Sequence, residues 1–308
     1  MEYHIVVNPV SGNHSGRITG EKAEEYLLQC GHTVHMHYST LDTGITSICD
    51  TLTKDLEEEI TIVVVGGDGT MNEALNGLHH LDLIKVGFVP AGTGCDMLKD
   101  MDISADFSSI MQSISNNRVV HTSAIGCVTY KESGIQRRFQ VSAGIGFDAE
   151  ICHAVSVSTS KKWLHKIHLG YLVYLVEAVK ILKEKKCFHV KIHLETEDVE
   201  YADCKFISIH NHACEGGGYK FCPSADYQDS TLYLCTTYHI TWTAFLKLFL
   251  KAKKGRHVAY TQYTKQFVSS CMDIETDTPQ WVHTDGETPY TSKHIHVEVL
   301  PDKLRLII

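Results

Sequence analysis

Ile60-Thr61-Ile62-Val63-Val64-Val65-Gly66-Gly67-Asp68-Gly69-Thr70-Met71-Asn72-Glu73 is the stretch on which the fold turns. Its first six residues form a continuous β-branched run, as in a strand buried on both faces of a parallel sheet. Three glycines and an aspartate follow at once, and a helix is expected over residues 72–78. Glycine admits positive φ and lets a backbone approach a phosphate closely. The helix N-terminus behind it offers unpaired N–H groups and a partial positive charge to an anion. Thr70 is placed to cap that helix, with Glu73 completing a capping box. Asp68 sits at the C-terminal end of the strand, where open α/β sheets bind ligands. A carboxylate there suits a magnesium contact beside polyphosphate. A plain tight turn would not need three glycines, each of which costs backbone entropy.

Working outward, residues 3–8 read as a strand, 17–30 as a helix stopped by Gly31, 33–38 as a strand, 45–56 as a helix and 86–89 as a strand. Alternating strands and helices define a Rossmann-like parallel α/β domain with helices on both faces. Two more small polar loops follow strands: Asn8-Pro9-Val10-Ser11-Gly12 and Pro90-Ala91-Gly92-Thr93-Gly94-Cys95-Asp96. Three such loops on one sheet edge line a crevice for nucleotide phosphates. The pattern is neither the P-loop G-x-x-x-x-G-K-[ST] nor the dinucleotide G-x-G-x-x-G.

The later chain changes character. Residues 119–128, 136–141, 190–194, 201–210, 231–237, 266–271 and 294–300 read as strands, interrupted by helices over 169–186 and 242–254. A second, β-rich domain with helical insertions is expected over 121–299, after a nucleotide domain over 1–120, with the tail 300–308 packing back on the first.

Composition limits the alternatives. With 308 residues, 43% hydrophobic and only 6 Pro, the chain is globular rather than collagenous or disordered. A net charge of −9 argues against a nucleic-acid partner. No run of 18 uncharged apolar residues is present, so no transmembrane helix is expected. Met1-Glu2-Tyr3-His4 leads straight into a strand, without the features of a secretory signal. The 11 cysteines include no C-x-x-C pair and read as free thiols of a cytoplasmic protein. Three His-x-His pairs, 35/37, 210/212 and 294/296, could each chelate a metal from one strand face. A chain with 20 histidines generates such pairs by chance, and no metal role is expected of them.

These residues in this order resemble the diacylglycerol kinase catalytic-domain family, especially its soluble bacterial lipid kinases, within a superfamily that includes sphingosine kinases. Asn8-Pro9-x-Ser11-Gly12, Gly66-Gly67-Asp68-Gly69-Thr70-x-Asn72-Glu73 and Pro90-x-Gly92-Thr93 are similar to its three nucleotide loops. Gly144-x-Gly146-Phe147-Asp148-Ala149, then Asn211, Gly216-Gly217-Gly218, Pro223, Ala225 and Asp229, then Asp285-Gly286-Glu287, follow its later blocks. The resemblance implies a β-sandwich-type second domain and an active site in the interdomain cleft. It implies an ATP-dependent kinase, using Mg²⁺, that phosphorylates the hydroxyl of diacylglycerol or a related lipid alcohol. Asn8, Pro9, Val10, Ser11, Gly12, Thr40, Gly66, Gly67, Asp68, Gly69, Thr70, Met71, Asn72 and Thr93 correspond to ATP contacts. Asp285 corresponds to the general base, with Glu287 beside it; in an extended segment both would face one side. Asp229, with Asp226 and Thr231, corresponds to a structural magnesium site. Cys95 replaces a family asparagine, which puts one nucleotide or inter-loop contact in question.

A lipid substrate requires a visit to a bilayer. Residues 161–191 carry eight Lys against two Glu, and residues 241–256 carry four Lys and one Arg with no acid. Trp163, Leu164 and Ile167 flank the first group, and Trp242, Phe245 and Phe249 lie in the second. Transient peripheral contact with an anionic membrane is therefore expected; core-packed helices with snorkelling lysines are the alternative. Two competing functions stay open: an NAD kinase, which shares the Gly66–Gly69 element, and a nucleotide- or lipid-binding regulator with weak catalysis. A homodimer through a sheet edge is also open.

Overall fold

The computed structural model describes residues 1–91, 95–157, 171–184 and 186–308, with backbone alone at 171–175 and 183–184. The chain divides into two compact units, Met1–Ile125 with Leu300–Ile308, and Gly126–Val299. Each is described by itself.

The first unit holds strands β1 (Glu2–Val7), β2 (Thr33–Tyr38), β3 (Ile60–Gly66), β4 (Ile84–Pro90), β5 (His121–Ser123) and, from the chain's end, β16 (Leu304–Leu306). They form a six-stranded sheet in the order β2-β1-β3-β4-β16-β5. The first four are mutually parallel, and only the β16–β5 pair runs antiparallel. Helices α1 (Ser11–Gln29), α2 (Ile45–Thr53), α3 (Asp68–Gly77), α4 (Asp96–Asp100) and α5 (Phe107–Asn116) connect them. Burial dictates this arrangement at β3, where Ile62, Val63, Val64 and Val65 are all fully enclosed. A strand buried on both faces needs helices above and below.

The second unit is antiparallel. Its strands are β6 (Gly126–Tyr130), β7 (Gln136–Phe139), β8 (Ser142–Gly146), β9 (Phe188–Leu194), β10 (Asp198–Cys204), β11 (Phe206–His210), β12 (Leu232–Thr237), β13 (Thr264–Ser269), β14 (Cys271–Thr284) and β15 (Glu287–Val299). The long β14 pairs with β9 through residues 272–276 and with β8 through residues 282–284. One strand thus serves two leaves, and the sheet closes on a shared core that includes Phe139, Ile145, Val190, Ile209, Leu234 and Ile295. This is the β-sandwich-like half. Helices α6 (Phe147–Val157), α7 (Tyr171–Glu184) and α8 (Trp242–Ala252) contribute to a second apolar cluster around Phe147, Phe206, Phe221 and Phe245.

Several expected elements are redrawn. The helix after the glycines starts at Asp68 rather than at residue 72, and its N-cap is Gly67, with no side-chain cap. The capping box does not form, because Thr70 already lies in the first turn and its Oγ1 accepts from Asn8 Nδ2 at 3.2 Å. The single strand expected over 119–128 is two strands in different sheets, β5 and β6. The one expected over 201–210 breaks at Lys205 into β10 and β11. Strand β8 and most of β14 carry no apolar alternation strong enough to announce them; β14 exposes Glu275, Asp277, Thr278 and Pro279. Residues 11–14 belong to α1 only loosely: Gly12, Asn13 and His14 have φ of 55°, 58° and 71°, so the regular helix follows them.

Candidate functional site

The C-terminal edge of the parallel sheet gathers the loops. Asn8 is the hub of the first: its N–H donates to Val65 O at 3.1 Å and its Nδ2 to Thr70. Its carbonyl accepts from the Ser11 N–H and from Ser11 Oγ at 2.8 Å, and its Oδ1 accepts from Val10 N–H. Three loops are laced together by short bonds of this kind, with Ala91 N–H donating to Gly66 O at 2.8 Å. Pro9 and Val10 make the outward bend, with Val10 61% exposed.

The glycines here have different reasons. A Cβ on Gly12 would lie 1.6 Å from Ala91 O, and one on Gly66 would lie 2.4 Å from Thr70. Packing alone requires both. Among the described residues a Cβ on Gly67 would meet nothing within 4 Å, and its φ of −105° suits any residue. Neither packing nor strain among those residues explains Gly67. It lies at the α3 N-terminus, where half-buried backbone without a side chain fits an anion approaching the first N–H groups of the helix. Gly69, Thr70, Met71 and Asn72 form the first turn behind it, and the Asn72 side chain is wholly buried.

Asp68 joins the second loop to the third. Its Oδ2 accepts from Asp96 N–H at 3.3 Å, and its charge acts on the Cys95 thiol. Burial, and then the Asp68 charge, push that thiol well above its usual value, so it stays protonated. Cys95 is thus a buried, neutral side chain beside the second loop. Thr40 forms its own turn, accepting from Asp42 and Thr43 N–H at 3.3 and 3.0 Å. Thr93 lies outside the described residues, as do Lys161, Lys162, Trp163, Leu164, Lys166 and Ile167 of the basic stretch.

In the second unit, Asp285 and Gly286 are the two-residue turn between β14 and β15. Their φ values are 50° and 86°, and Thr284 pairs with Glu287 across the turn. Positive φ at both central residues defines the hairpin turn for which Asp-Gly is the favoured sequence. The segment is not extended, so Asp285 and Glu287 flank a bend instead of sharing a strand face. Glu287 is exposed. The Asp285 carboxylate is held firmly: Oδ2 accepts from Gln140 N–H at 2.8 Å, and Oδ1 from Val141 and Ser142 N–H at 2.8 and 3.0 Å. Asp285 N–H donates back to Ser142 O at 2.8 Å. These bonds explain why β7 ends at Phe139: the next three N–H groups turn to a side chain instead of a strand.

Beside this turn lies a buried polar group that no sequence motif announces. His283 Nε2 lies 2.9 Å from Asp148 Oδ2, and Gly286 N–H reaches His283 Nδ1 at 3.3 Å. Glu215 accepts from Ser142 Oγ, and from Ser208 Oγ at 3.2 Å. Gly144 makes room for the pair, since a Cβ there would lie 2.4 Å from both Asp148 Oδ2 and His283 Nε2. Burial lifts the Asp148 carboxyl above its usual range. Burial pulls the His283 imidazole down, but the Asp148 charge and hydrogen bond outweigh it, and the net direction is up. The donor atoms of Asp148, Glu215 and His283 all lie within 4.8 Å of one another, close enough to consider a metal. The Gly286 N–H makes Nδ1 an acceptor, which leaves the proton on Nε2, facing Asp148. A ligating nitrogen must be bare, so the arrangement is that of a hydrogen-bonded acid–imidazole pair.

Asp226, Asp229 and Thr231 lie on the loop before β12. Asp229 N–H donates to Asp226 O at 3.1 Å, Asp226 Oδ1 accepts from Gln228 N–H, and Asp229 Oδ2 accepts from Tyr233 OH at 2.6 Å. The Asp229 bond, with burial, raises the Tyr233 phenol. Both carboxylates are exposed, and the donor set is all oxygen, which fits a hard cation such as Mg²⁺. The His-x-His pairs are otherwise engaged. His35 meets Glu2 at 2.8 Å and His37 meets His4 at 3.2 Å. His210 Nδ1 bonds His212 O, while His294 and His296 both bond Asp273.

A mixed parallel α/β unit with a glycine-laced loop edge, followed by an antiparallel sandwich with a fixed acidic turn, gives one chain both a loop edge suited to phosphates and a fixed carboxylate. Comparison makes this specific. A family model described as "Diacylglycerol kinase catalytic domain" matches residues 2–127, and one described as "YegS C-terminal NAD kinase beta sandwich-like domain" matches residues 141–308. The chain belongs to the diacylglycerol kinase catalytic-domain family, among its YegS-like lipid kinases. It is 24% identical over 292 residues to the putative lipid kinase YtlR of Bacillus subtilis, covering 92% of this chain and 93% of the relative. It is 24% identical over 307 residues to a Bacillus subtilis diacylglycerol kinase, covering 97% and 96%. A putative diacylglycerol kinase from Bacillus anthracis superposes with a TM-score of 0.73 at 20% identity over 97% of this chain and 94% of that one, a likeness of fold.

Residues 148, 215 and 283 cannot be assembled from spacing. Asp148 sits inside a family block without an assigned role, Glu215 in no motif, and His283 two places before Asp285. One signal is present in Gly144: a second glycine in a strand marks close approach of something else.

Proposed function

We propose that the protein transfers the γ-phosphate of ATP to the hydroxyl of diacylglycerol or a related lipid alcohol. The observation that carries this reading is Gly67, a glycine that neither packing nor strain among the described residues requires, at an α3 N-terminus laced to two neighbouring loops. Phosphoryl transfer asks for positioning and charge neutralisation more than for covalent help. Backbone N–H groups at the start of α3, residues 67–70, would hold the phosphates, with the 8–12 loop, Thr40 and Thr93 as further contacts. Asp68, tied to Asp96, has its carboxylate steadied for a divalent ion beside the phosphates. When bound, Mg²⁺ supplies charge neutralisation there; Asp226, Asp229 and Thr231 would hold a second, structural ion.

Asp285 is the proposed proton acceptor for the lipid hydroxyl, with Glu287 as its exposed neighbour. Three backbone N–H groups fix its orientation, which favours a repeatable geometry over a mobile one. Incubation with γ-labelled ATP and a panel of diacylglycerol, sphingoid base, phosphatidylglycerol and isoprenoid alcohol tests the reading. Label should enter one of these lipids; transfer to NAD alone would overturn it.

A further inference from the structure

From Ser230 to Met272, between Asp229 and Asp273, the chain holds no Asp or Glu, while it carries Lys247, Lys251, Lys253, Lys254, Arg256 and Lys265. Most of these cations sit on or just after α8. Thr241 caps the helix by accepting from Ala244 N–H, and the inner face is Phe245, Leu248 and Ala252, at most 5% exposed. At about 100° per residue those three lie within about 60° of one another. Directly opposite them are Leu246 and Leu250, exposed by 41% and 63%. Lys247 and Lys251 flank the two leucines on one side, Lys253 on the other, and Lys254 stands one turn beyond.

An amphipathic core helix has no need of outward leucines at i and i+4, where they make a contiguous apolar ridge. Nor do the lysines neutralise local acids. Among the described residues none of Lys247, Lys251, Lys253, Lys254 or Arg256 has a carboxylate partner, whereas Lys265 meets Glu197 at 3.3 Å. Lys251 lies over the Tyr260 ring at 5.2 Å, and Lys253 over Tyr219 at 5.0 Å while bonding the Gly217 carbonyl. Aromatic faces and a carbonyl hold these charges at the surface without cancelling them.

We propose that the outer face of α8 is a docking surface for an anionic lipid bilayer, with Leu246 and Leu250 entering the acyl boundary and Lys247, Lys251, Lys254 and Arg256 meeting the headgroups. A leucine ridge rimmed by cations is what an interfacial helix presents to such a surface. A soluble polyanion would use the cations alone.

The test is co-sedimentation of the full chain with vesicles of phosphatidylcholine alone or mixed with phosphatidylglycerol, without ATP. Binding is expected to the mixed vesicles only. It should fall roughly tenfold or more in Leu246→Ser/Leu250→Ser and in Lys247→Glu/Lys254→Glu. Both pairs are exposed, so an unchanged melting temperature shows that the fold survives. Equal binding to neutral vesicles, or wild-type binding by either variant, would overturn the proposal. Heparin binding as strong as vesicle binding and insensitive to the leucine change would assign the face to polyanions instead. Sedimentation needs no turnover, so a protein that fails as a kinase can still bind vesicles, and one that fails to bind can still phosphorylate a micellar lipid.

Discussion

The loop edge of the first unit and the Asp285 turn of the second hold polar groups ready by opposite means. At the loop edge the proposed working groups are backbone N–H donors at a helix N-terminus beside glycine. At the turn the working group is a side-chain carboxylate, and the backbone N–H groups of residues 140–142 are spent on fixing it. The first region can accept an anion with little rearrangement. The second resists rearrangement, because each N–H it released would be left without a partner. The difference explains why the two regions should respond differently to substitution.

The largest expected effect is at Asp285. Asp285→Asn keeps a hydrogen-bond acceptor but no carboxylate, and turnover should drop about 10²–10⁴-fold with ATP affinity little changed. Asp285→Ala should also strip acceptors from three N–H groups, lowering stability by at least about 3 kcal/mol in a denaturant titration. Near-normal turnover in the Asn variant would break the comparison at its second half.

Next come the glycines. Gly12→Ala forces a side chain onto the Ala91 carbonyl at a left-handed φ, and should cost about 2–4 kcal/mol. Gly67→Ala meets none of the described residues and should change stability by no more than about 1 kcal/mol, yet weaken ATP binding about tenfold or more. A thermal shift with and without nucleotide reads both. Equal stability losses at the two positions would erase the distinction between a packing glycine and a ligand-facing one.

The smallest effects concern the thiols, which sharpen the contrast between core and surface. Burial pushes Cys49 and Cys235 up to about 12, and Cys127 and Cys204 to about 11. Folded-state values above the unfolded value of about 9 mean that the unfolded chain loses these protons first. Their contribution to stability is complete below pH 9 and is lost as pH rises toward 11–12. A stability profile across that window should slope downward. A colorimetric thiol reagent should label exposed Cys30 and Cys187 quickly, and all 11 cysteines only after unfolding.

The same contrast governs what the sequence alone reveals. The loop edge is legible because its chemistry is consecutive: Ile60 to Glu73 spells strand, glycines and helix in one line. The parallel unit follows from that line and from the repeat of strand and helix around it. The helix begins four residues before the expected start because Thr70 looks like a cap, whereas its hydroxyl is bonded to Asn8, 62 positions away. The acidic turn is legible only as Asp-Gly. Its partners are residues 140–142 and 283, with 148 and 215 behind them, and strand register brings these together: Gly144 lies opposite both Ser208 and His283. No local pattern encodes such a register. Strand β14 is obscured for a related reason: where it joins two leaves its middle is exposed and polar, so its alternation fades.

The central claim is that these two regions serve one phosphoryl transfer to a lipid. It is tested most directly by incubating the wild-type protein and Asp285→Asn with γ-labelled ATP, Mg²⁺ and diacylglycerol micelles, then counting label in the organic extract. Label should appear in the lipid with wild-type protein and fall at least about a hundredfold with the variant. Equal incorporation by both would contradict the role of Asp285, and label released only as inorganic phosphate would contradict the transfer itself.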